Sequence, residues 1–199
     1  MIHKFSGFDA PIAQLFELAN TAFVPQPFRR ACERFATFDI SSSHDDLLYF
    51  SMSGGPSLIV SIETELIARK KSLNQPEYRQ LAVSCAVLSI CWWETYLKTE
   101  HEKLANWEAE RAEFDRLFAE SLADSISVLG LPQVQGMDAD EHRHRNAIWR
   151  GKTGLLILQQ SAYDPQFGLD VNYWVQPWSG LDPSPTSPFI DWLCSLSSP

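Results

Sequence analysis

From Glu77 to Leu129 the chain, rich in apolar residues, runs without a glycine or a proline, as a helical stretch does. Asn74 can cap a helix here, with Glu77 reaching back to it. One unbroken helix of this length extends about 80 Å, far beyond the radius of gyration of about 16 Å expected for a compact chain of this size. The sequence therefore predicts two helices, with the capping box Thr99-Glu100-His101-Glu102 at their boundary. The first, over 76–98, is apolar nearly all round and is expected to be the buried central element. The second carries Leu104, Trp107, Phe114, Leu117, Phe118 and Leu122 on one stripe and ends at Gly130, with Pro132 beyond it.

On the N-terminal side, Asp9 can cap a helix through "PIAQLFELANTA", whose apolar stripe is Ile12, Leu15, Phe16 and Ala19. Pro25 and Pro27 interrupt it, and "FRRACERFATF" offers a second, shorter helix. "LLYFSM" and "SLIVSIE" flank Ser53-Gly54-Gly55-Pro56 and predict a hairpin. Past residue 144 the period changes to that of strands: "NAIW", "LLILQQSAY" and "LDVNYWVQ". The middle run is continuously apolar, as for a strand covered on both faces. In the last, Leu169, Val171, Tyr173 and Val175 alternate with Asp170, Asn172, Trp174 and Gln176, as for a strand with one outer face. A proline-rich connection follows, and Phe189, Trp192, Leu193 and Leu196 have the spacing of a docking helix.

The expected fold class is α+β: two long central helices packed with an antiparallel β-sheet, and additional short helices at both ends. The chain reads as a single globular domain, with N-terminal helices and hairpin over 1–72, central helices over 73–130, and a C-terminal meander with a docked tail over 144–199. No internal repeat is visible.

Composition narrows the function classes. With 45% hydrophobic and 21% charged residues among 199, the chain has the make-up of a folded domain. A net charge of -9 opposes nucleic acid and anionic membrane and favours a basic protein partner. Cys32, Cys85, Cys91 and Cys194 have no metal-binding spacing and read as reduced thiols. "LAVSCAVLSICWW" (81–93) is too short to span a bilayer, and the N-terminus lacks a secretory apolar stretch, so a cytoplasmic protein is expected.

Each candidate for chemistry has a plain alternative. Gly151-Lys152-Thr153 ends like a phosphate-binding loop, but Asn146 stands where that loop needs glycine and a β-like run follows instead of a helix. In "DADEHRHR" (138–145), Asp138, Asp140, His142 and His144 alternate, so zinc, iron or nickel could be held there for a metal-dependent hydrolase. A solvated loop has the same composition, and the neighbouring arginines disfavour a cation. "HEKLA" (101–105) lacks the second histidine of a zinc helix, and "SMSGG" (51–55) has Ser51 where a nucleophile elbow has glycine. Arg111, between Trp107 and Phe114, is either a buried carboxylate partner or a snorkelling side chain. Trp174, among Asp170, Asn172 and Gln176, has the setting of an interface anchor unless another element covers that face.

The stretch "IWRGKTGLLILQQSAYDPQFGLDVNYWVQPW" (148–178) resembles strand segments of bacterial immunity proteins of polymorphic-toxin and type VI secretion systems. The resemblance implies a cytoplasmic protein without a cofactor that binds a cognate toxin domain and blocks its active site or substrate access. The expected interface residues are Asp138, Asp140, Glu141, Asp170, Trp174 and Trp178, facing a basic toxin surface. The alternatives are the metal-dependent hydrolase, built on His142 and His144 with Asp138 and Asp140, and a structural or adaptor subunit.

Overall fold

The computed structural model describes residues 2–4, 8–44, 46–66, 79–93, 107–137, 145–160 and 170–178. Among these lie nine strands, β1 (Ile2–Lys4), β2 (Thr37–Asp39), β3 (Leu47–Ser51), β4 (Ser57–Leu66), β5 (Arg79–Trp93), β6 (Val134–Met137), β7 (Arg145–Arg150), β8 (Gly154–Gln160) and β9 (Asp170–Pro177). Three helices accompany them: α1 (Ile12–Leu18), α2 (Pro25–Cys32) and α3 (Trp107–Leu129). The strands form one antiparallel sheet in the order β2-β3-β4-β5-β9-β8-β7-β6. Cys91 of β5 is in register with Val171 of β9 and with Lys4 of β1, so β1 lies on the β4 side, past the last β4 pair at Leu88.

The expected first central helix does not form; its residues are β5, a 15-residue strand at the middle of the sheet. Two register shifts explain why its pattern mimics a helix. Against β4, the ladder skips Ser84 between the Ile62–Val83 and Ser61–Cys85 pairs. Against β9 it skips Ile90 between the pairs of Ser89 and Cys91. Each extra residue displaces the alternation by one. The core-facing residues become Val83, Ala86, Leu88 and Cys91, with Ile90 packed beside them, so the strict alternation that would mark a strand is lost within a continuously apolar run. Periodicity alone cannot separate a doubly bulged strand from a buried helix. The second expected helix is present as α3 from Trp107; the capping box at 99–102 lies outside the described residues.

α3 stops as its sequence demands. Gly130 adopts φ 80°, a left-handed conformation open to glycine, and its N–H closes on the Ile126 carbonyl at 2.9 Å. At the other end of the chain, α1 starts from Pro11 with no side-chain cap, so the expected Asp9 cap is not made. Pro25 opens α2 instead of interrupting, because the first helical position needs no N–H donor.

The 3–4 and 7–8 hairpins of the sheet stand where the sequence places them, and β8 is buried along its whole length, covered on both faces as its apolar run requires. Alternate residues divide between two clusters. Leu156, Leu158, Val171, Tyr173 and Val175 join Leu15, Leu18, Phe28, Phe114 and Phe118 of the three helices in the main core. On the opposite face Ile148, Leu155 and Ile157 form a smaller cluster with Trp174 and Trp178.

The connectivity repeats although the sequence does not. A helix, four antiparallel strands in meander (α2, β2 to β5), then again a helix and four strands (α3, β6 to β9), meet through their last strands, β5 and β9. The sequence shows no repeat because the two halves differ greatly in element length: 8 against 23 residues for the helices and 15 against 8 for the closing strands.

Candidate partner-binding cleft

A cavity of about 420 Å³ opens where the segment leading into α1 faces the C-terminal half of α3. Its floor is the centre of the sheet, with Ile90 and Cys91 from β5 and Tyr173 from β9. Two adjacent residues of one strand face the same cavity only because Ile90 is the extra residue of the bulge. Leu117 and Val128 of α3 and Phe8 and Ile12 opposite add apolar wall.

The polar groups at this cavity are acidic or neutral: Asp9 on one side, Glu120, Asp124, Ser121 and Ser127 on the other. Arg116 pairs with both Glu113 and Glu120, which holds its guanidinium firmly charged and divides its one positive charge between the two carboxylates. Asp9 and Asp124 make no ion pair with any described residue. Tyr173 is hydrogen-bonded at its hydroxyl to Ser125 Oγ (2.8 Å) and donates to the Ser121 carbonyl (3.2 Å). Burial pushes its pKa up to about 12, and the Asp124 carboxylate adds to the rise against the pull of the Ser125 hydrogen bond.

The opposite face of the sheet holds the described part of the expected interface. Asp170 and Trp174 share one face of β9, and Trp178 follows it; the structure brings Trp174 and Trp178 into one cluster, while Asp170 stands at the far end of the strand. The face is not open. Asn172, between them, is 3% exposed, and Trp174 is half-buried on Ile148, Leu155 and Ile157, with Nε1 buried and unpartnered. Trp178 carries the Arg150 guanidinium over its ring at 4.4 Å. Asp138, Asp140, Glu141, His142 and His144 lie outside the described residues, as do 101–105 and Cys194. Among the described residues no group of three or more His, Cys, Asp or Glu could hold a metal ion. No described helix is long and apolar enough to cross a membrane.

Gly151-Lys152-Thr153 is the turn between β7 and β8, and its three backbone donors are already used. Gly151 N–H bonds to the Gly154 carbonyl, Lys152 N–H to Asn20 Oδ1, and Thr153 N–H to the Ala19 carbonyl, at 2.8, 2.8 and 3.1 Å. None of these three backbone donors remains to cradle a phosphate. A Cβ at Gly151 would fall on the Ala19 carbonyl, so this glycine allows the turn to seat against the end of α1. Arg111 takes the first of its two expected roles: it pairs with Asp115 at 3.0 Å, and Asp115 also accepts from Arg145 (3.2 Å) and Gln160 (2.9 Å). Ser53 is exposed in the β3–β4 turn.

Sequence reasoning missed the cleft. The sequence offers Asp9 as a helix cap and does not single out Asp124; the tertiary structure brings both to the lining of one cavity with Tyr173. No protein-family model, curated protein or solved structure matches this chain.

Proposed function

We propose that this chain is an inhibitor-type binding protein: an immunity protein that neutralises a cognate bacterial toxin domain by occluding its active site or substrate access. The observation that carries the reading is the cleft beside α3, whose carboxylates Asp9 and Asp124 have no counter-ion among the described residues. Uncompensated carboxylates beside an apolar floor suit a partner that brings positive charge. The net charge of -9 extends the same preference to long range, where it speeds encounter with a basic surface. The likeness of 148–178 to immunity-protein strands agrees with this reading. The work of such a protein is recognition, so its own catalytic groups are not needed.

The test is a tagged chain expressed in its native cell, with co-purifying chains identified and the principal one isolated. A basic partner whose enzymatic or cell-killing activity is suppressed by one equivalent of the purified chain is expected. A partner that retains full activity in the complex, or none at stoichiometric yield, contradicts the reading.

A further inference from the structure

We infer that the cleft between residues 8–12 and α3 receives an arginine or lysine side chain of the partner as the anchor of the complex. This deepens the proposed function and rests on it for the identity of the partner, but its geometry stands separately. A long basic side chain has two unlike parts, an aliphatic stem and a charged head. The cleft is built in the same two parts. Ile90, Cys91 and Leu117 supply the apolar floor and wall for the stem, while Asp9 and Asp124 supply carboxylates for the head.

Three features choose this occupant over others. First, Glu120 is already engaged by Arg116, whereas Asp9 and Asp124 have no ion-pair partner among the described residues, so these two carboxylates are open to an incoming positive group. Two carboxylates accept one guanidinium in charge-assisted hydrogen bonds, or an ammonium held as a point charge. Secondly, a metal ion needs several converging ligands, and these carboxylates do not form such a group. Thirdly, Phe8 and Ile12 line the cleft on the Asp9 side, which adds apolar surface for the stem of a long basic side chain. The volume of about 420 Å³ exceeds one side chain, so the anchor enters with part of the segment that carries it.

The experiment uses the full ¹⁵N-labelled chain and two compounds of matching shape, N-acetyl-arginine N-methylamide and its uncharged citrulline counterpart. In amide-resolved NMR titrations, the arginine compound is expected to shift residues 8–12 and 117–128 saturably, at least fivefold more tightly than the citrulline compound. Added salt should weaken it. The paired variant Asp9→Asn/Asp124→Asn should bind at least fivefold more weakly, while Asp46→Asn, outside the cleft, should bind as the wild type does. Equal binding of the two compounds, or shifts that avoid the cleft, overturns the inference; the comparison within the wild-type chain decides this even if the paired variant fails to fold. A partner neutralised equally well by the paired variant removes the cleft assignment and leaves the binding function standing. Selective arginine binding without any neutralised partner does the reverse.

Discussion

Tyr173 belongs to the core and to the cleft at once, and its environment sets a pH dependence. In the unfolded chain its phenol ionises near 10 and the Cys32 thiol near 9, whereas in the fold burial pushes both up to about 12. For Cys32 the neighbouring Glu33 adds to the effect of burial. Between pH 9 and 12 the unfolded chain therefore holds fewer protons than the folded one, and stability falls as pH rises; below pH 9 these two groups contribute no slope. The urea midpoint is expected to drop between pH 8 and pH 11, and to drop less in Tyr173→Phe. A midpoint unchanged over that interval would contradict the burial of both groups. Trp174 carries a second expectation of this scale. Its ring packs on Ile157 while Nε1 lacks an acceptor, so Trp174→Ala should cost about 2 kcal/mol and Trp174→Phe clearly less. Equal losses in equilibrium unfolding would place the stabilisation in the indole N–H instead. The sequence marked Trp174 by its polar neighbours on β9, but could not show that Asn172 beside it is buried, because the covering of a sheet face is decided by other elements.

Among elements, β5 matters most, since β4, β9 and β1 all pair with it. Amides of 86–88, flanked by strands on both sides, are expected to exchange slowest in hydrogen exchange, and those of β2 and β6, the edges, much faster. Fast exchange at 86–88 would be incompatible with a central strand. The same strand shows where reading by pattern ends. Strands without bulges, such as β3, β8 and β9, were legible from alternation or from a short apolar run bounded by turn residues. β5 was not, because Ser84 and Ile90 each shift the phase and the alternation of a strand is lost. α3 was legible because its stripe holds and Gly130 ends it. Of the cleft, the sequence disclosed the apolar wall of α3 but not that Asp9 and Asp124 line the same cavity, which is a product of tertiary packing.

For the whole molecule, two helix-plus-meander halves joined at β5 and β9 place the cleft against the seam of the sheet, where Tyr173 and Cys91 are both buried. A buried floor of this kind leaves recognition at the cleft to charge and shape. Long-range attraction by a chain of charge -9 implies association that slows as salt is added, while dissociation changes less. Stopped-flow rates with the isolated partner at two ionic strengths check this; an association rate indifferent to salt would remove electrostatic steering. The most direct measurement is the equilibrium affinity of that partner for the wild-type chain and for Asp9→Asn/Asp124→Asn, both verified as folded. The expected result is a loss of at least tenfold in the paired variant, and identical affinities would contradict binding through the acidic cleft.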